Sequence, residues 1–130
     1  MATKEEMQRA KSQALAEYKS IKDMMERLTS AKDDDEREEI EQEIHESPLE
    51  VSVRGGWHGI GEEEEEPQEY LILLSTGGPA VRITGELSRG EPSTARLEYQ
   101  DWFTPWVYVH EPSVEEEVLL DYARQFYFGV

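Results

Sequence analysis

Apolar or small side chains at Met7, Ala10, Ala14, Ile21, Met24, Leu28 and Ala31 recur in alternating steps of three and four, with a single break at Glu17. That heptad pattern predicts one long helix over about residues 4–31, since a helix returns positions seven apart to the same side. Tyr18 and Met25 widen the stripe, and no Gly or Pro intervenes before Pro48. The three alanines make the seam thin. It suits packing against the chain's own domain or a neighbouring helix, with self-association into a coiled-coil homodimer as the alternative. From Lys32 the pattern changes to KDDDEREEIEQEIHES, where only Ile40 and Ile44 offer an apolar edge. This reads as a short acidic helix or a continuation of the first. Asp33, Asp34 and Asp35 suit a new N-terminus, where negative charge is favoured, and Ser47-Pro48 stops it.

Beyond Pro48 the period shortens to two. Leu49, Val51 and Val53 alternate with Glu50, Ser52 and Arg54, which predicts a strand with one apolar face. Residues 55–67 then form a long loop, glycine-rich around Trp57 and five glutamates deep before Pro67. Tyr70 to Leu74 is a near-continuous apolar strand, and Gly77-Gly78 supplies the positive φ of a turn into a strand over residues 79–87. After the turn Arg89-Gly90-Glu91-Pro92, Ala95, Leu97 and Tyr99 alternate with polar residues in a fourth strand. Val114, Val118, Tyr122 and Phe126 follow at intervals of four, with Ser113 and Glu116 as an S-x-x-E capping box, so a C-terminal helix is expected to cover the sheet. The fold class is α+β: a long N-terminal helix, either followed by a short acidic helix or continuing into it, a four-stranded antiparallel sheet and a C-terminal helix packed on it. Residues 1–46 make the helical segment and 47–130 the rest, as one compact domain, which suits a chain of 130 residues.

The net charge of −17 belongs to the body. Residues 1–32 hold seven Lys/Arg against five Asp/Glu, whereas residues 33–130 hold six against 25, and every lysine lies in the first 32. Nucleic-acid binding needs cations that neutralise phosphates, so direct contact of this body with DNA or RNA is not expected. With no cysteine, disulfides, thiolate metal sites and cysteine nucleophiles are excluded. The charged start and the lack of any apolar run near the ~20 residues that cross a bilayer lead to the expectation of a cytoplasmic, non-membrane protein.

No catalytic motif stands out. His45, His58 and His110 have neither metal-ligand nor triad spacing, no G-x-S-x-G or G-x-x-x-x-G-K occurs, and Thr76-Gly77-Gly78 reads as a turn. No enzyme activity, cofactor or metal is assigned. The densest aromatic stretch is Tyr99, Trp102, Phe103, Trp106 and Tyr108, which packing alone explains. Trp57 on its glycine loop is the better candidate for an exposed anchor. An unfamiliar enzyme site around Arg82, Tyr99, Asp101 and Trp102 is the least favoured alternative. The acidic runs carry more weight, because they fall on an expected helix and on a loop between strands rather than in a tail. Carboxylates one helical turn apart stand ~6 Å from each other, and phosphates along one DNA strand roughly 6–7 Å.

The strings LILLSTGGPAVRI, LEYQDW with Thr104-Pro105-Trp106, and LDYARQFYFG resemble a family of small acidic phage and prophage proteins of unassigned activity, over residues 70–129. Small acidic phage proteins without catalytic motifs are often anti-defence inhibitors, among them anti-CRISPR and anti-restriction proteins that resemble DNA in charge. The resemblance thus implies an anti-CRISPR-like inhibitor working in the host bacterial cytoplasm. Its acidic side chains would occupy the basic nucleic-acid surface of a defence protein, a CRISPR effector first and a restriction enzyme next, and block DNA binding. The partner-binding candidates are Asp33, Asp34, Asp35, Glu36, Glu38, Glu39, Glu41 and Glu43, then Glu62, Glu63, Glu64, Glu65 and Glu66, with Trp57 as anchor. The alternative is a structural or regulatory phage protein that oligomerises through its heptad helix.

Overall fold

In the computed structural model, residues 3–63, 66–101 and 104–128 are described. Helix α1 spans Lys4–Thr29. Thr3 starts it with a capping box: its hydroxyl accepts from the Glu6 N–H (3.1 Å), and the Glu6 carboxylate accepts from the Thr3 N–H (3.3 Å). Ala10, Ala14, Tyr18, Ile21 and Met24 form the buried stripe. Tyr18 therefore takes the core position that the heptad count gave to Glu17, and its hydroxyl accepts a hydrogen bond from the Glu115 N–H (3.1 Å).

A separate helix, α2, spans Asp34–Glu46. Asp33 is its N-cap, accepting from the Glu36 N–H at 2.8 Å, and Ile40 and Ile44 are its buried edge. Fully burying side chains of this size is worth about 1.5–3 kcal/mol each, enough to hold an otherwise polar helix against the domain.

The sheet comprises β1 (Glu50–Arg54), β2 (Glu69–Ser75), β3 (Ala80–Ser88), β4 (Glu91–Pro92), β5 (Arg96–Gln100) and β6 (Val107–Tyr108). It is antiparallel, in the order β1-β2-β3-β5-β6, with β4 paired to the end of β3. Six strands replace the four expected. The two extra ones, β4 and β6, are two residues long, too short for an alternating pattern to show in sequence. Gly77 (φ 91°) makes the β2–β3 turn, and Arg89 (φ 53°) with Gly90 (φ 82°) makes the β3–β4 turn.

Tyr70, Ile72 and Leu74 of β2, Val81, Ile83 and Gly85 of β3, and Leu97 and Tyr99 of β5 face the helices and are buried. Helix α1 lies on this face, touching β3, β5, α2 and the C-terminal helix α3, which spans Glu116–Ala123. Its heptad seam is thus covered by its own domain, and a coiled-coil dimer through that seam would have to strip α1 from the sheet. Helix α3 starts two residues later than the capping box implied. Glu115 is its N-cap, without a side-chain cap, and the Glu116 carboxylate instead accepts from the Ala95 N–H (3.3 Å). Among the described residues no helix is long and apolar enough to cross a membrane.

Candidate functional site

Helix α2 carries most of the acidic candidates, and their roles divide by the side of the helix they occupy. At 100° per residue, Asp35 and Glu38 lie opposite the buried Ile40 and Ile44, Asp34 and Glu39 stand to either side of them on the outer half, and Glu41 lies on the flank nearer the core. All are exposed except Glu41, which is half-buried. Asp33, Glu36 and Glu43 do structural work. Asp33 caps the helix, and the Glu36 carboxylate accepts from the Lys32 N–H (3.2 Å). Glu43 accepts two hydrogen bonds of 2.8 Å from Arg27 of α1, whose Nε also binds Asp23 at 3.0 Å. The guanidinium hydrogen-bonded to it holds Glu43 below the usual carboxylate range, and the same contact raises Arg27.

Glu46 was missed by sequence reasoning. It lies two turns beyond Glu38 on the same outer side and accepts from Gln42 Nε2 at 3.0 Å, and the spacing 38–42–46 was the available signal.

The second acidic group sits elsewhere. It belongs to the loop between β1 and β2, and β1, about 17 Å long, separates the end of α2 from the start of that loop. Glu62 folds back to accept from the Gly59 N–H (3.0 Å), and Glu63 and Glu66 are exposed. Glu64 and Glu65 lie outside the described residues. Trp57 stands fully in solvent, as does Ile60.

The helix-free face of the sheet forms a groove of about 590 Å³ lined in part by Arg54, Glu69, Arg82, Thr84, Arg96 and Glu98. Its cations are largely engaged. Arg54 pairs with Glu69, which lowers the Glu69 pKa, and Arg82 Nε donates to Glu98 Oε1 at 2.9 Å. Thr84 Oγ1 donates to the same Glu98 oxygen (3.0 Å), and the Arg82 guanidinium stacks 3.9 Å from the centre of the Trp106 ring.

The suggested constellation of Arg82, Tyr99, Asp101 and Trp102 is divided. Arg82 lines the groove, whereas Tyr99, paired with Val81, points into the helix-side core. Asp101 belongs to a turn in which its N–H donates to Thr104 Oγ1 (3.1 Å) and the Thr104 N–H donates to its carbonyl (3.2 Å). Trp102 and Phe103 lie outside the described residues. Tyr108 packs edge-on to His110, with ring centres 4.1 Å apart.

The histidines occupy three separate elements. His45 Nε2 lies 2.7 Å from the Gln125 carbonyl, to which its N–H donates, and its ring meets Phe126 edge-on, tying α2 to the C-terminal segment. Among the described residues no group of three or more His, Asp or Glu gathers as a metal ion would require. The arrangement presents fixed negative charge on the outer side of α2. Comparison of the chain with protein-family models, with curated proteins and with solved structures finds no match.

Proposed function

We propose that this protein is an inhibitor that places the carboxylates of α2 on the basic nucleic-acid-binding surface of a host defence protein and blocks DNA binding by occupancy. The observation that carries this reading is the outer side of α2. Asp34, Asp35, Glu38 and Glu39 are exposed there, in pairs one turn apart, on a helix whose position is fixed by Ile40, Ile44 and the Arg27–Glu43 pair. A fixed display spaced by ~6 Å loses less freedom on binding than the same charges on a tail, and it matches the repeat of a phosphate backbone. The net charge of −17 adds long-range attraction to any basic cleft. Phage origin and an anti-CRISPR role are the finer part of the proposal and rest on the resemblance of residues 70–129. A CRISPR effector is the first partner in view and a restriction enzyme the second. The loop glutamates and the exposed Trp57 form a second contact area in this reading.

The test is capture of partners from a bacterial lysate that carries CRISPR and restriction effectors, followed by competition with duplex DNA. A DNA-binding effector displaced by DNA is the expected result. Neutralising Asp34, Asp35, Glu38 and Glu39 together should weaken the purified complex by about tenfold or more, chiefly through the association rate. Affinity unchanged both by that variant and by salt at roughly 0.5 M would overturn the charge-mimic reading.

A further inference from the structure

Strand β1 ends one side of the sheet, and among the described residues nothing pairs with its outer edge. Such an edge is a row of unused N–H and C=O groups, and natural proteins usually blunt it with proline, an inward charge or a covering segment. Here Leu49, Val51 and Val53 stand on its helix side at 62%, 37% and 43% exposure, beyond the reach of the helices that bury Ile72 and Ile83 in the same layer. The polar residues of the strand are arranged symmetrically. Glu50-Val51-Ser52-Val53-Arg54 carries a negative charge at one end, a positive charge at the other and a small hydroxyl at its centre.

We infer that β1 pairs antiparallel with β1 of a second copy of this chain, about a two-fold axis through Ser52. In that register Glu50 lies opposite Arg54 of the second copy at both ends, and each Val51 lies opposite the second copy's Val53. Ser52 meets Ser52. Leu49 falls opposite Gly55 of the second copy, two residues ahead of its exposed Trp57. Opposed charges and paired β-branched residues are what stabilise neighbouring strands, and a two-fold axis lets one strand supply both halves of each pair. Parallel pairing or a register shifted by an odd number of residues loses this match. The pairing surface is small and each copy carries a charge of −17, so the dimer is weak and strengthens as moderate salt screens the repulsion between the two bodies. The device is separate from the carboxylate surface of α2 and does not depend on it.

Sedimentation equilibrium at protein concentrations up to about 1 mM, where even weak self-association registers, tests the pairing. The wild type is expected to show a reversible monomer–dimer equilibrium. Glu50→Lys alone sets Lys against Arg54 twice, and Arg54→Glu alone sets Glu against Glu50 twice, so each should self-associate roughly tenfold more weakly. Mixing the two variants restores opposite charges at both ends, and the heterodimer should recover the wild-type affinity. Hydrogen exchange on the wild type provides a readout that needs no variant: amide protection within residues 50–54 should rise with protein concentration. A wild type that stays monomeric overturns the inference. So does a dimer whose affinity ignores both charge changes, or whose formation leaves β1 exchange untouched.

Discussion

Arg27 near the end of α1 and Glu43 in α2 meet through two parallel hydrogen bonds of 2.8 Å, a fork-to-carboxylate contact that ties the two helices together. Both side chains remain about half exposed, so the contact orients α2 more than it stabilises the fold. The folded pKa of Glu43 lies below its unfolded value. Its contribution is therefore present above about pH 4.3, the ordinary glutamate value, and is lost as pH falls through the folded pKa. Thermal melts of wild type and Glu43→Gln should differ slightly at neutral pH and converge towards pH 3. In the binding assay Glu43→Gln should matter less than the joint change at Asp35 and Glu39, since Glu43 is already engaged within the chain.

Gly85 occupies a position that no other residue fits. A Cβ there would stand 2.0 Å from the Thr94 carbonyl oxygen and 2.7 Å from Tyr70 Cε1, and the same carbonyl accepts the Tyr70 hydroxyl at 2.7 Å. Gly85→Ala has to push backbone away from backbone. Overpacking typically costs about 1–3 kcal/mol, and the upper end is expected where the obstacle is a main-chain oxygen. Urea denaturation, read as the shift in midpoint at constant slope, measures it.

Burial pushes the Tyr122 hydroxyl up to about 12, and it pushes Tyr70 up as well. A group raised in the folded state contributes stability that is fully present below its unfolded pKa, near 10, and is lost as pH climbs through the folded value. Alkaline unfolding is therefore expected between about pH 10 and 12, at a cost from Tyr122 of roughly 2–3 kcal/mol. Tyr122→Phe gives up the 2.6 Å contact with Ser47 Oγ, costing about 1 kcal/mol at neutral pH, yet should unfold less steeply with alkali. Circular dichroism across that pH range separates the two effects.

Arg89 is the one non-glycine with positive φ among the described residues, at 53°, and with Gly90 at 82° it makes a two-residue hairpin turn between Ser88 and Glu91. Left-handed backbone costs most residues roughly 1 kcal/mol or more, while asparagine tolerates it. Arg89→Asn should raise stability by about 0.5–1 kcal/mol, seen as a higher urea midpoint with an unchanged slope.

Periodicity alone determined α1, the helical nature of the acidic segment, four of the strands and the C-terminal helix, because each has a face that must be buried and its spacing records that face. That α2 is a helix separate from α1 was decided by the structure, where Ser30 ends one and Asp33 caps the other. Charge counting placed the acidity in the body, and the run from Asp33 to Glu43 was legible as a helix because Ile40 and Ile44 stand one turn apart. What sequence could not supply was which partner meets which face. The S-x-x-E string at Ser113 yielded to contacts from afar, since Tyr18 and Ala95 engage the N–H of Glu115 and the carboxylate of Glu116. The same applies to Tyr18 in place of Glu17, to the ion pair that engages Glu43, and to Gly85, whose necessity arises only when Thr94 comes against it. Alternation in Leu49, Val51 and Val53 specifies an apolar face, but only the extent of the helix layer decided that this face lies beyond cover at the sheet edge. Local pattern reports what a segment needs to bury, and contacts distant in sequence determine whether the fold buries it.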